Sequence, residues 1–225
     1  MDDRDGRPSA AATATSSRLP RWEITSAIVA QRVIGIVRAA DAETASRTVE
    51  ALVEGGLQVL EVSLTTPGAL DVVREKSGRH PELTIGAGTV LDEASARLAV
   101  LAGATFLVSP ALDPAVLRVA HRYGVVAVPG VGTPTEVVRA LELGADLIKL
   151  FPASSHGPKA VADLLQALPQ APLVPTGGVT VEDAPDYVRA GAVAVGMGGS
   201  LAAGGPEQTS TRVQDLLRRL AEAAG

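Results

Sequence analysis

Short apolar segments rich in valine, isoleucine and leucine recur along most of the chain and predict buried β-strands. Most of them are apolar on both faces, which is typical of strands in a parallel sheet that is covered by helices. The eight segments are Val33–Val37, Val59–Leu64, Leu83–Val90, Phe106–Ser109, Val125–Val128, Leu147–Phe151, Leu173–Pro175 and Val193–Gly196.

Segments with helical periodicity separate these predicted strands, and their ends carry recognisable signals. Candidate N-caps are Asp41, Asp92, Asp113, Thr133 and Thr180, whose side chains can accept hydrogen bonds from the first backbone amides of a helix. Glycines that follow the helical segments can end them in a left-handed conformation. Eight alternating strand and helix units predict an α/β protein of the (β/α)8 TIM-barrel type, with an open doubly wound sheet as the alternative.

The two ends of the chain differ from this repeating pattern. Residues 1–21 contain few large apolar side chains and predict a disordered N-terminal extension. Residues 22–225 then form one barrel domain, which begins with an extra N-terminal helix over Trp22–Gln31 at the base of the barrel. Apolar residues at helical spacing in Gln208–Ala223 predict the eighth outer helix.

Composition limits the binding partners and the cellular compartment that are compatible with this chain. The chain has 225 residues, 46% of them hydrophobic, with a net charge of −5, and this balance argues against binding to nucleic acid or to an anionic membrane. The absence of cysteine excludes disulfides and thiolate chemistry and is compatible with a reducing compartment. We therefore expect a cytoplasmic protein that acts on a small molecule.

Lys149 is the first candidate for chemistry, because it interrupts the apolar segment Asp146–Pro152 with a single ammonium group. The chain contains three lysines and seventeen arginines, so a lysine at this place is an unusual choice of cation. A desolvated lysine can lose its proton near neutral pH and attack a carbonyl group to form a Schiff base. The alternative is a lysine at a strand end whose amine reaches water.

Glu61 similarly interrupts the strand Val59–Leu64. A partly desolvated carboxyl group with a raised pKa can act as a general acid and base beside an amine. It can also serve simply to neutralise Lys149, and the two interpretations are compatible.

Further polar residues and glycines follow the predicted strands, at the end of a barrel where active sites form. Gly177-Gly178 and Gly198-Gly199-Ser200 follow the last two strands, where backbone amides of barrels frequently bind phosphate. Thr176 precedes the first glycine pair. Arg38 and Thr89 end earlier strands and can contact a substrate carboxylate, or can serve only their own turns.

Other chemistries find little support in the sequence. The histidines His80, His121 and His156 lack the spacing of metal ligands. Gly86-Ala87-Gly88 lacks the later glycines of a dinucleotide fingerprint. We therefore expect neither a metal nor a cofactor.

Several motifs together resemble the 2-keto-3-deoxy-6-phosphogluconate (KDPG)/4-hydroxy-2-oxoglutarate (KHG) aldolase family. The resemblance extends from about Val33 to Ser200, and its most specific parts are Gly86-Ala-Gly-Thr-Val90 and Lys149-Leu-Phe-Pro152. Further matching segments are Leu60–Leu64, Val108–Pro110, Pro129–Glu136, Pro175–Val179 and Gly196–Ser200.

The resemblance implies a homotrimeric class I aldolase that needs no metal. It implies that Lys149 forms the Schiff base and that Glu61 is the acid and base. Thr89 is then near the pyruvate moiety, Pro110 and Phe151 wall the pocket, and Gly177, Gly178 and Ser200 hold phosphate. Some members have an arginine where this chain has Thr65, so Thr65 is a candidate substrate-binding residue at that place and Arg38 is the candidate carboxylate clamp.

The expected reaction is the cleavage of KDPG to pyruvate and glyceraldehyde 3-phosphate, the lyase step of the Entner-Doudoroff pathway. Cleavage of 4-hydroxy-2-oxoglutarate to pyruvate and glyoxylate is a further expected activity. The alternatives are an aldolase for the galactonate epimer, a phosphosugar isomerase or epimerase barrel, and a non-catalytic assembly module.

Overall fold

The computed structural model describes residues 20–223, which form an α/β fold around curled parallel sheets. Residues 1–19, which make up nearly all of the predicted disordered extension, lie outside the described residues. Arg21 already belongs to the first helix, so this helix begins one residue earlier than the sequence predicts.

Each of the eight predicted segments overlaps a strand, and the last strand extends one residue beyond its predicted segment, to Met197. The strands are β1 (Val33–Val37), β2 (Val59–Ser63), β3 (Thr84–Gly88), β4 (Phe106–Val108), β5 (Val126–Val128), β6 (Gly130–Val131), β7 (Ile148–Leu150), β8 (Leu173–Pro175) and β9 (Val195–Met197). They pair in parallel, six of them in the order β5-β4-β3-β2-β1-β9 and three in the order β6-β7-β8.

Hydrogen bonds also connect the two sheets to each other at both of their edges. At one edge, the amide of Val193 donates to the Leu173 carbonyl (3.0 Å), and Thr176 forms a parallel bridge with Gly196. At the other edge, β6 follows β5 after Pro129, whose carbonyl accepts from the Lys149 amide at 2.9 Å. The strands therefore follow one another around the fold in chain order.

Sequence alone did not predict β6. Pro129 interrupts the apolar pattern, but the chain continues in extended form beyond it, and Gly130 lies tightly against the neighbouring turn. A Cβ atom at Gly130 would lie 2.3 Å from the Pro110 carbonyl carbon, so only glycine fits this approach.

Helices cover the outside of the sheets. They are α1 (Arg21–Gln31), α2 (Ala42–Glu54), α3 (Ala69–Arg79), α4 (Glu93–Ala102), α5 (Pro114–Tyr123), α6 (Pro134–Glu142), α7 (Gly157–Ala167), α8 (Ala184–Arg189), α9 (Gly199–Ala202) and α10 (Pro206–Glu222), with a 3-10 turn at Ala153–Ser155. The last helix begins at Pro206, two residues before the predicted start.

Four of the five predicted capping residues start helices, whereas Thr180 exchanges hydrogen bonds with Asp183 and α8 begins only at Ala184. The carboxylates of Asp41, Asp92 and Asp113 each accept a backbone amide of the first helical turn at 2.7 Å. Thr133 accepts from the Glu136 amide (3.3 Å), and the Glu136 carboxylate in turn accepts from the Gly132 amide (2.8 Å). These contacts satisfy donors that a helix leaves free at its N-terminus.

Helix α1 packs against the N-terminal ends of the strands. Its buried Ile24 and Ile28 belong to one apolar cluster with Ile34, Val59 and Phe106. This arrangement leaves the opposite, carboxyl ends of the strands as the open end of the fold.

A polar contact fixes the start of α1 to the sheet. Arg21 donates to Asp146 at 2.6 Å, and the second oxygen of Asp146 accepts from the Ala127 amide at 2.8 Å. Among residues 20–223, no helix has both the length and the apolar character needed to cross a membrane.

Candidate active site

A cavity of about 630 Å³ opens at the carboxyl ends of the strands. Ten of the thirteen residues that the sequence predicts for the site line it: Arg38, Glu61, Lys149, Phe151, Thr176, Gly177, Gly178, Gly198, Gly199 and Ser200. Thr65, Thr89 and Pro110 are not among its lining residues. The cavity also has walls that the sequence did not indicate, formed by Ile36, Val179, Thr180, Gly196 and Ala202.

Lys149 lies in the middle of β7, between Gly130 of β6 and Val174 of β8. Only 6% of the residue is exposed, and its amine nitrogen lies 4.9 Å from the centre of the Phe151 ring. Burial lowers the pKa of Lys149, Glu61 opposes that shift, and Arg38 adds to it. The amine is thus biased towards the neutral, nucleophilic form.

Glu61 faces the same cavity from β2 and is 3% exposed. Burial raises its pKa, while the charges of Lys149 and Arg38 oppose the rise. A carboxyl group that is biased towards protonation can both give and take a proton near neutral pH. The alternative role of neutralising Lys149 is consistent with the same electrostatic coupling.

The neighbouring strand has no side chain where the Glu61 carboxyl group lies. A Cβ atom at Gly88 would be 2.4 Å from Glu61 Oε1, a distance that side chains do not tolerate. Gly88 therefore provides the space for the carboxyl group beside β3.

Arg38 follows β1 and is exposed, with its guanidinium group at the same cavity. Its charge acts on both ionisable groups, since it lowers the pKa of Lys149 and that of Glu61. Such a cation at a pocket mouth suits an anionic ligand.

The two glycine loops lie next to each other and both line the cavity. Gly177 and Gly178 have φ values of 90° and 89°, and Cβ atoms there would meet the Phe151 ring at 2.8 Å and the Ser154 side chain at 2.7 Å. Both the backbone conformation and the space thus favour glycine. Ser200 donates to the Val179 carbonyl (2.9 Å), which ties the two loops together.

Two of the three predicted residues that do not line the cavity, Thr65 and Thr89, are joined through Ser63. The buried Ser63 hydroxyl lies 2.8 Å from the Thr65 hydroxyl and 2.9 Å from that of Thr89. Thr89 has a positive φ of 59°, which is uncommon for a β-branched residue. Pro110 lies beside these strands and packs against Gly130.

Thr176 lines the cavity at the end of β8, but its hydroxyl donates to the Val174 carbonyl at 3.1 Å.

Within residues 20–223 no group of three or more histidines and acidic residues could hold a metal ion. His80 lies beside Glu82 and Glu50, and His121 beside the Gly144 carbonyl.

A buried amine and a buried carboxyl group that share one pocket at the carboxyl ends of parallel strands are typical of an enzyme that works through a lysine. A family model described as KDPG and KHG aldolase matches residues 24–214. Because this match covers most of its length, the chain belongs to the KDPG and KHG aldolase family.

Individual relatives agree with this assignment. The chain is 36% identical over 171 residues to a probable 2-dehydro-3-deoxy-6-phosphogalactonate aldolase of Rhizobium meliloti (strain 1021). This match covers 75% of this chain and 81% of the relative. The chain is also 34% identical over 157 residues to the KHG/KDPG aldolase of Escherichia coli (strain K12). This match covers 69% of this chain and 74% of the relative.

Solved structures show the same fold. The KDPG aldolase of Zymomonas mobilis ZM4 with 3-phosphoglycerate matches with a TM-score of 0.78 and 32% identity, over 87% of this chain and 95% of the other. The KDPG aldolase of Legionella pneumophila, with pyruvate captured as a covalent carbinolamine intermediate, matches with a TM-score of 0.75 and 26% identity, over 90% and 98% of the two chains.

Proposed function

We propose that this protein is a class I aldolase that cleaves KDPG to pyruvate and glyceraldehyde 3-phosphate through a Schiff base on Lys149, without a metal. The observation that carries the proposal is the pair of Lys149 and Glu61, both buried at one cavity with pKa values displaced towards their neutral forms. The names of the relatives support the substrate class.

The reaction begins at the amine. Neutral Lys149 attacks the C2 ketone of the substrate to form a carbinolamine, and loss of water gives a protonated imine. The carbinolamine that pyruvate forms in the Legionella pneumophila enzyme supports this first step.

Glu61 serves the proton transfers that follow. Its carboxylate takes the proton of the C4 hydroxyl group, the C3–C4 bond breaks, and the electron pair of that bond passes into an enamine as the aldehyde leaves. The protonated Glu61 then returns a proton to C3, and hydrolysis of the imine releases pyruvate and restores the free amine.

Binding of the substrate uses both ends of the cavity. The backbone amides at Gly177, Gly178, Gly198 and Gly199, with Ser200, would hold the phosphate, which the 3-phosphoglycerate in the Zymomonas mobilis structure supports. Arg38 would hold the carboxylate of the keto acid, in place of an arginine at position 65. Thr65, Thr89 and Pro110 would border the pyruvate end through β2, β3 and β4, and Phe151 and Thr176 would complete the walls.

Trapping the imine tests the chemistry. Borohydride added in the presence of pyruvate should increase the mass of the protein by one reduced pyruvyl group, located on Lys149 by peptide mass spectrometry. Lys159, which is exposed and paired with Asp163, is the internal control and should stay unmodified. An unmodified Lys149 under conditions of turnover would remove the proposal, and it would leave an isomerase or a binding module.

A second candidate is the aldolase for the galactonate epimer, which the Rhizobium meliloti relative and a solved structure named native KDPGal favour. Pyruvate release from both C4 epimers of the phosphorylated keto acid, and from 4-hydroxy-2-oxoglutarate, separates the candidates. The substrate with the largest kcat/KM identifies the activity.

The same proposal extends to the architecture of the protein, its oligomeric state, its compartment and its pathway. We infer that the strands close into a (β/α)8 TIM barrel with α1 as its extra N-terminal helix, which the hydrogen bonds between the two sheets support. We also propose that the protein is a homotrimer, works in the cytoplasm and serves the Entner-Doudoroff pathway. The exposed Leu91, Leu98 and Leu101 on and before α4 support self-association.

A further inference from the structure

His156 lies between two backbone carbonyl groups, both on loops that follow strands. Its Nδ1 atom is 2.9 Å from the carbonyl oxygen of Pro152, and its Nε2 atom is 3.1 Å from that of Gly132. One carbonyl belongs to the loop after β7 and the other to the loop after β6. The imidazole ring thus bridges two loops of the open end.

Only a doubly protonated ring satisfies both of these contacts. A carbonyl oxygen accepts hydrogen bonds, and a neutral imidazole has one N–H donor and one acceptor nitrogen. In the neutral ring one nitrogen lone pair would face a carbonyl oxygen without a proton between them. In the imidazolium form both nitrogens donate, and both hydrogen bonds are charge-assisted.

The segment that His156 holds also supports the glycine loop after β8. The amide of Ala153 donates to the Thr176 carbonyl at 2.8 Å, and the amide of Ser154 donates to the Gly177 carbonyl at 2.9 Å. Phe151, which precedes this segment, lines the cavity and donates its amide to the Val131 carbonyl at 2.9 Å. Residues 151–154 therefore join the loop after β7 to β6 and to the glycine loop after β8.

Several ionisable side chains lie on the elements that pack around His156. Glu136 of α6 accepts the Gly132 amide at 2.8 Å, which polarises the Gly132 peptide group whose carbonyl faces His156. Lys159 of α7 pairs with Asp163 at 2.6 Å. Tyr187 of α8 donates its hydroxyl proton to the Ala153 carbonyl at 3.2 Å.

We propose that His156 is a positioning residue whose imidazolium form clamps the loops after β6 and β7 and thereby holds the phosphate-facing glycine loop and the Phe151 wall in place. The proposal rests on the aldolase function proposed above for its kinetic consequence. Loss of either N–H donor leaves one of the two loops without its contact to the ring.

The test is KM and kcat for the phosphorylated keto acid in wild type, His156→Gln and His156→Phe at one pH. We expect both variants to raise KM about tenfold, which corresponds to about 1.4 kcal/mol, as expected for loss of a hydrogen bond from a charged donor. The value of kcat should change much less, because the clamp holds the binding loops and does not contact Lys149 or Glu61.

A control variant and a direct measurement separate this proposal from the proposed function. His121→Gln changes a histidine with one carbonyl contact, at Gly144, and should leave KM and kcat unchanged. In protein with 15N-labelled histidine, the His156 ring should show two slowly exchanging N–H protons, one on each ring nitrogen. That spectrum needs no catalysis, whereas borohydride trapping on Lys149 reports the aldolase chemistry without reference to His156.

Two outcomes would overturn the proposal. One is a fall in kcat in His156→Gln as large as the rise in KM, because a purely structural side chain would disturb the whole site. The other is a His156 ring that exchanges its N–H protons as fast as solvent-exposed imidazole.

Discussion

At the scale of single residues, Lys149 and Glu61 show why burial matters more than residue type. The chain contains many acidic and basic side chains, but burial displaces the pKa of Lys149 downwards and that of Glu61 upwards. The sequence predicted both residues, because a lone charge within an apolar strand is costly unless it has a purpose. It could not predict that Ser200 donates to the Val179 carbonyl or that Ser63 joins Thr65 to Thr89, because these contacts join different loops.

Replacing the carboxyl group tests the role of Glu61. Glu61→Gln should still form the imine with pyruvate, but turnover should fall by roughly 10²-fold or more, as expected for loss of a general acid and base. The carboxylate also raises the pKa of Lys149, so the pH at which imine formation begins should move down in this variant. Wild-type turnover in Glu61→Gln would make the residue purely structural.

Arg38 should influence the pKa values of both Lys149 and Glu61. Its charge lowers the pKa of Lys149, so Arg38→Gln should raise that pKa and move the acidic limb of imine formation to higher pH. The same change should raise the pKa of Glu61, which Arg38 also lowers. Rates of borohydride trapping against pH measure the shift, and Arg122→Gln, at an exposed pair with Glu93 on the helices, should leave the profile unchanged.

At the scale of strands and helices, the order of elements was predictable and their ends less so. Apolar runs bounded by capping residues and glycines predicted every strand except β6. Sequence did not predict β6 because Pro129 interrupts the apolar run just before it. Thr65 and Thr89 follow β2 and β3, as the sequence indicated, and the structure adds that both lie against the Ser63 hydroxyl, outside the lining of the cavity. Position along a strand predicts the end of the sheet at which a side chain lies, but not the direction in which a loop turns it.

A glycine in β3 should be necessary for the Glu61 carboxyl group. Gly88→Ala places a methyl group 2.4 Å from Glu61 Oε1, so we expect lower activity together with a loss of stability of about 1–3 kcal/mol from overpacking. The matched control is Gly78→Ala in α3, where a Cβ atom would meet nothing within 4 Å. The control should keep its activity and gain about 0.5–1 kcal/mol of stability in urea unfolding.

The contact between α1 and the sheet should contribute to stability. Asp146→Ala leaves the buried amide of Ala127 without its acceptor and Arg21 without its partner, so we expect a loss of about 1–3 kcal/mol. The control is Asp163→Ala, which breaks the exposed pair with Lys159 and should cost less than about 1 kcal/mol. Equal midpoints of urea unfolding for the two variants would contradict this expectation.

At the scale of the whole molecule, the apolar surface of α4 points to association. Leu91, Leu98 and Leu101 are 60%, 51% and 59% exposed, which is unusual for leucines that lie close together on one surface. Leu98→Glu should therefore convert the proposed homotrimer to monomer, as measured by analytical ultracentrifugation. Val138→Glu, at an exposed apolar residue on α6, is the matched change elsewhere, and dissociation by that variant alone would place the contact at α6 instead.

The position of α1 also bears on the order in which products depart. Because this helix packs over the amino ends of the strands, both products must leave by way of the carboxyl ends, past Phe151 and the glycine loops. The aldehyde separates as soon as the carbon–carbon bond breaks, while the three-carbon fragment stays attached to Lys149 until water releases it. Steady-state kinetics should accordingly show pyruvate as a competitive inhibitor of cleavage and glyceraldehyde 3-phosphate as a noncompetitive one.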